Sequence, residues 1–351
     1  MDNARVYRKY DPAGMLACIN GMAAQCRRAW HEAMDFKLPP GYSEINKVVI
    51  SGMGGSAIGG DLLRSLVTAE AKVSIMVSRD YQLPAFVDAR TLVVISSYSG
   101  NTEETLSSFD QALKNECKKL VITTGGKLMQ IARRKNVPVF EFAYPGQPRA
   151  ALGFSLLPII AFLQRLGVIG DKSAEVAEMV QVLGEVSARM NEAVATTDNP
   201  AKQLAQRLYG KLPLIYGAGI TAEVAHRWKT QLNENSKAWA FYDVFPELDH
   251  NAVVGYQFPK ALAGKTRAVL LQAPSSPRLE LRIRVTCQLL EDAGVGCETI
   301  NATGDSPLSQ VMSLVSYGDY VSYYLAILYK IDPTPVKVID YLKAQLAKGS
   351  V

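Results

Sequence analysis

Residues 47–67 read KVVISGMGGSAIGGDLLRSLV. Val48, Val49 and Ile50 form a short apolar run of the kind a buried parallel strand requires. Glycines and small residues follow at 52–60, and Asp61–Val67 continue with the spacing of a helix. This is a strand, a tight turn and a helix. The pattern recurs along the chain. Residues 72–78 (KVSIMVS), 91–97 (TLVVISS), 119–124 (KLVITT) and 137–142 (VPVFEF) read as further strands, with helical stretches between most of them. Such alternation predicts a parallel sheet flanked by helices. Residues 212–234 (LPLIYGAGITAEVAHRWKTQLNE) repeat strand, glycine turn and helix, and 266–274 and 296–301 continue a second sheet. The expectation is an α/β protein of two similar units, residues 1–150 and 151–351, divided where YPGQPRAALG (144–153) breaks the pattern. Helices are expected over 15–34, over 316–330 and after DPTPV (332–336), the last with Thr334 as N-cap and Pro335 as first helical residue.

The totals set limits. The chain has 351 residues, 48% of them hydrophobic and 20% charged, so it can bury a large core without staples. A net charge of +5 without basic blocks argues against a nucleic-acid partner. The polar N-terminus reads as no signal peptide, and the longest apolar run, near 152–163, holds Pro158 and is too short to span a membrane. Five cysteines without C-x-x-C spacing read as buried free thiols of a reducing cytosol, and the protein as soluble and cytoplasmic.

The glycine turn at 52–57 fits the dinucleotide fingerprint G-x-G-x-x-A, through Gly52, Gly54 and Ala57. A dinucleotide site also wants an acid at the end of the second strand. Here Ser78 and Arg79 stand there, with Asp80 displaced beyond them. A second turn points elsewhere. SSYSGNTEET (96–105) follows a strand and opens a helix, at the carboxyl edge of the sheet where open α/β folds bind ligands. Small residues before a helix expose backbone N–H groups, and the helix dipole favours an anion. Ser97, Ser99 and Thr102 add hydroxyl donors. An N-cap role for Thr102 accounts for one hydroxyl and leaves the others unexplained. The chemistry is that of a phosphate-monoester cradle.

The glycine and hydroxyl turns together resemble the sugar isomerase (SIS) domain, a phosphosugar-binding flavodoxin-like unit. More narrowly, SRDYQLP (78–84), YPGQPRAALG, QLNENSKAWAFYDVFPELDHNAVVGY (231–256) and DPTPVKVIDYLK (332–343) resemble the bifunctional phosphoglucose/phosphomannose isomerase family. The resemblance implies two SIS domains and aldose–ketose interconversion of a hexose 6-phosphate through a cis-enediolate. It implies a place in glycolysis and gluconeogenesis, and no metal or redox cofactor. Matched residue by residue, Glu234 is the base at C2 and His250 opens the sugar ring. Arg149 faces the enediolate oxygens, and Lys343 is the terminal active-site lysine. Gly55 and Ser56 join Ser97, Ser99 and Thr102 at the phosphate. The family's histidine comes from the neighbouring subunit, which implies a homodimer with shared sites. Its specificity threonine, which leaves room at C2, has Thr334 as candidate. Of the other histidines, His31 and His226 sit in helical patterns and read as structural. A non-catalytic phosphosugar-binding module would keep the hydroxyl turn but need no base. A nicotinamide-dependent dehydrogenase would rest on the glycine turn alone.

Overall fold

A computed structural model describes residues 1–349. Three helices open the chain: α1 (Ala4–Tyr10), α2 (Met15–Asn20) and α3 (Met22–Asp35). Then come β1 (Lys47–Ser51), α4 (Gly55–Val67), β2 (Ser74–Ser78), β3 (Thr91–Ser97), α5 (Glu103–Lys114), β4 (Lys118–Thr123), α6 (Gly126–Arg134) and β5 (Val139–Glu141). Helices α7 (Leu152–Arg165), α8 (Ser173–Met190) and α9 (Pro200–Leu208) lead to β6 (Leu212–Ala218), α10 (Ala222–Glu234) and β7 (Phe241–Phe245). The remainder is α11 (Lys260–Ala263), β8 (Thr266–Gln272), α12 (Pro277–Asp292), β9 (Gly296–Asn301), α13 (Pro307–Leu328) and α14 (Lys337–Leu346).

The strands form two sheets, ordered β2-β1-β3-β4-β5 and β7-β6-β8-β9, with every pairing parallel. This is the α/β architecture the alternation predicts. Side chains of a strand point alternately to its two faces. In β1, Val48 and Ile50 enter one core and Val49 another. In β6, Ile215 joins the first core and Tyr216 a third. The core shared by both sheets also takes Leu62 of α4, Phe154 of α7, Trp228 of α10 and Tyr320 of α13. The two sheets therefore lie back to back across a layer of helices. Outer helices cover the far faces, with Phe109 and Leu128 on one side and Ile283 and Leu290 on the other. Helix α7 packs on α3 and α4, with Phe154 stacked on Phe142, 4.6 Å between ring centroids.

Three local readings are corrected. The expected helix over 15–34 is two helices that meet at Gly21. Helix α14 starts at Lys337 with Val336 in the cap position, so Thr334 is not its N-cap. Thr334 instead lends its carbonyl to Arg149, and its hydroxyl is buried without a partner. Cys287 and Cys297 are joined as a disulfide, not free thiols. Helix α12 turns back into β9, and this brings their Cα atoms to 5.7 Å, a bridging separation. Cys26 and Cys117 are buried thiols, and Cys18 is a half-buried one. Among the described residues no helix is long and apolar enough to cross a membrane.

Candidate active site

In the first sheet the strand order reverses direction between β1 and β3. The crevice beyond the carboxyl ends of two such strands is where open α/β sheets take ligands. Gly55 and Ser56 stand past the end of β1, and Ser97–Thr102 at the end of β3. The Ser56 hydroxyl accepts a hydrogen bond from the Tyr98 amide at 3.0 Å and ties the two turns together. Ser97 Oγ accepts from the Gly100 amide, and Ser99 Oγ from the Asn101 amide. Ser97 Oγ and Thr102 Oγ1 lie 3.0 Å apart. A hydroxyl that accepts an N–H keeps its own proton. Ser56, Ser99 and one member of the Ser97–Thr102 pair can thus still donate.

Thr102 occupies the N-cap position of α5, but its side chain makes no capping bond. The first N–H groups of that helix remain available to an anion. The turn itself is braced by the 123–127 loop. Gly100 has φ +63, and a Cβ there would stand inside the Gly125 carbonyl. The Thr124 hydroxyl donates to the Tyr98 carbonyl at 2.6 Å. Tyr98 is held in turn by its hydroxyl, which donates to the carbonyls of Tyr144 and Gly146.

Gly55 connects this cradle to the rest of the site. A Cβ at Gly55 would lie 2.8 Å from the Pro148 carbonyl, so only glycine lets the 148–150 turn approach the start of α4. That turn carries Arg149, whose side chain is 3% exposed. Its Nε donates to Asn235 Oδ1 at 2.7 Å, and its Nη2 to the carbonyls of Pro333 and Thr334. Its Nη1 reaches Glu234 Oε2 at 3.4 Å. Burial lowers the Arg149 pKa from its ordinary value, and the Glu234 carboxylate opposes that shift. Three of four polar contacts thus fix the guanidinium in place, and one edge faces Glu234.

Glu234 is the last residue of α10 and is 28% exposed. It lines an open cleft of about 670 Å³ with Lys237, Asp332 and residues 335–339. Below it lies a buried network. Arg227 pairs with Asp319 at 2.8 Å and donates to the Arg149 carbonyl. Gln231 donates to Asp319, and Asn235 to the Ser322 hydroxyl. Burial pushes the Asp319 carboxyl above the usual range, against the pull of Arg227.

Of the residues expected from sequence, Gly55, Ser56, Ser97, Ser99 and Thr102 share one sheet edge, and Arg149 joins that edge to Glu234. Lys343 is exposed on α14 and makes no side-chain hydrogen bond or ion pair among the described residues. Lys337 lines the cleft instead. His250 is exposed on a short 3₁₀ turn after β7. The neighbouring Asp249 is anchored by Arg282 and Thr286 of α12, both at 2.9 Å. His226 stacks on Tyr242, 4.6 Å between centroids, and faces Glu223. Arg79, the cation where a dinucleotide fold wants an acid, is paired with Asp61 of α4. Asn235, Lys237 and the Arg227–Asp319 pair escape sequence reading. A lone acid in the apolar helix over 316–330 was the one signal available.

A model of the bacterial phospho-glucose isomerase C-terminal SIS domain matches residues 197–346. A Caldicellulosiruptor bescii protein named bifunctional phosphoglucose/phosphomannose isomerase is 43% identical over 336 residues, 95% of this chain and 99% of its own. A protein of the same name from Aquifex aeolicus is 37% identical over 302 residues, 86% of this chain and 90% of its own. Among solved structures, a hypothetical protein from Thermus thermophilus superposes with a TM-score of 0.75. The match covers 98% of this chain and 92% of that one at 17% identity, a likeness of fold alone.

Proposed function

The chain belongs to the bifunctional phosphoglucose/phosphomannose isomerase family, and from that premise we propose how its residues divide the reaction. It is an aldose–ketose isomerase of hexose 6-phosphates. The α5 N-terminus with Ser56, Ser97, Ser99 and Thr102 holds the phosphate; Gly55 joins them through its backbone and lets the Arg149 turn close on the start of α4. Glu234 moves the proton between C2 and C1. Arg149 stabilises the oxygen charge of the enediolate as it forms. The observation that carries this reading is Arg149. It is a buried cation, oriented by Asn235 and two carbonyls, that runs from the phosphate edge to a cleft-lining carboxylate. A module that only binds phosphosugar would have no use for a carboxylate beside that cation.

His250 opens the ring, and we propose that it serves the site of a second copy. Helix α10 starts beside the carboxyl end of β6 and runs back for 13 residues, roughly 18 Å, to Glu234. Strand β7 then returns the chain to the first edge, where Phe245 pairs with Ala218 and the His250 turn follows. Within one chain, Glu234 and His250 lie at opposite edges of the second sheet. A homodimer that exchanges histidines supplies each cleft with one. Lys337 and Lys343 are both candidates for the terminal lysine, and Lys337 has the position in its favour. The cytoplasm is the compartment this metabolic role implies. The test is a coupled assay with fructose 6-phosphate that reads glucose and mannose 6-phosphates separately. Formation of neither would overturn the reading.

A further inference from the structure

Lys237 occupies a position where its residue type is unfavourable. Helix α10 ends at Glu234, and the Ala238 amide closes its last turn on the Leu232 carbonyl. Lys237 lies inside that closure with φ +52, the left-handed conformation that helix ends ordinarily give to glycine. A glycine would form the same turn at lower cost. The lysine brings an ammonium that turns back on the helix. Its Nζ donates to the Glu234 carbonyl at 2.5 Å and to the Pro333 carbonyl at 2.9 Å. The Pro333 carbonyl is also the one that Arg149 holds at 2.7 Å. Lys237 therefore joins the residue that bears the base to the segment that clamps the Arg149 guanidinium.

We propose that Lys237 is a positioning residue for isomerisation: its ammonium locks the end of α10 to the 333–334 segment and so fixes the Glu234 carboxylate opposite Arg149. The inference rests on the reading of Glu234 as the base. The charged groups acting on the ammonium are Glu234 on α10, Arg149 on the 148–150 turn and Asp332 on the segment that enters α14; Lys337, the first residue of α14, lines the same cleft. Burial first, and then Arg149, lower the Lys237 pKa to about 8, while Asp332 and Glu234 oppose. The charge is lost as pH rises through that value. Activity should fall over the same interval as the lock loosens. Because the folded pKa lies below the unfolded one, the unfolded chain holds more protons at this site between about pH 8 and the ordinary lysine value. Its contribution to stability therefore rises with pH there. A loss of activity in this window therefore does not come from Lys237 destabilising the fold, and the melting temperature across the same pH range checks the rest.

The experiment compares Lys237→Gly, Lys237→Arg and Glu234→Gln by melting temperature and by kcat and KM for fructose 6-phosphate across pH 6–10. Glycine satisfies the backbone, so Lys237→Gly should melt at or above wild type. Its kcat should fall roughly 10- to 100-fold, as a misplaced catalytic group predicts. KM should change little, and the alkaline limb near pH 8 should disappear. Lys237→Arg should recover most of kcat and move that limb upward, since a guanidinium keeps its charge. Wild-type kcat and pH profile in Lys237→Gly, with Glu234→Gln inactive, would overturn the positioning role and leave the base in place. An active Glu234→Gln would instead overturn the base, and this inference with it. If Lys237→Gly does not fold, Lys237→Arg decides: a pH limb that stays where it was overturns the proposal.

Discussion

A base that carries a proton from C2 to C1 has to be able to accept one. A glutamine at position 234 keeps the shape and can still accept a hydrogen bond from Arg149, but it cannot take the proton. Glu234→Gln should lower kcat by about 10²–10⁴, the usual share of general-base catalysis, with KM near wild type. Exchange of the C2 proton with tritiated solvent should stop with it, because both need the same transfer. Normal exchange in the variant would remove Glu234 from the mechanism. At this scale the sequence was legible only through resemblance. A glutamate at the end of an amphipathic helix is ordinarily solvated, and although Glu234 is the one acid in 228–240, no local pattern marks it as a base. Asn235 and Lys237 act through contacts to residues far along the chain, at 149 and 333, which no local pattern records. Lys337 and Lys343 lie on one helix six positions apart, so they cannot share a face. The fold puts Lys337 in the cleft lining and leaves Lys343 out of it.

Elements were legible where burial fixes the pattern. Strands β1, β3 and β4 are covered on both faces and read as continuous apolar runs. Strand β7 was not read. It is an edge strand whose Phe241 is 51% and Tyr242 40% exposed, so its sequence shows neither alternation nor an apolar run. The turn before α5 was the most legible functional element. An uncapped helix start among hydroxyls has few uses other than an anion. Truncation there should act on binding. Ser99→Ala or Thr102→Ala removes a donor to a charged group, worth roughly 1.5–3 kcal/mol, or about a 10- to 100-fold rise in KM for hexose 6-phosphate. The unfolding midpoint should hardly move, because Ser99 sits on an exposed turn and Thr102 makes no cap bond. Unchanged KM in both variants would put the phosphate elsewhere.

The second sheet repeats the order of the first four strands of the first, without a counterpart of β5, and the two lie back to back, an arrangement that alternation alone cannot specify. The crevice of the first sheet meets the end of α10 through Arg149, while His250 follows β7 at the carboxyl end of the second sheet, the end opposite Glu234. If the histidine serves a second copy, two inactive variants should repair each other. Take Glu234→Gln and His250→Ala, each with little activity alone, and exchange subunits between equal amounts. Roughly half of the dimers are then hybrid. In each hybrid, one cleft receives both lesions. The other combines the intact Glu234 of the His250→Ala subunit with the intact His250 of the Glu234→Gln subunit. One working cleft in two, in half of the dimers, predicts recovery of about a quarter of wild-type activity. If each chain used its own histidine, every cleft would keep one lesion and mixing would recover nothing. The mixture therefore separates a shared site from a self-contained one, whatever either variant does alone.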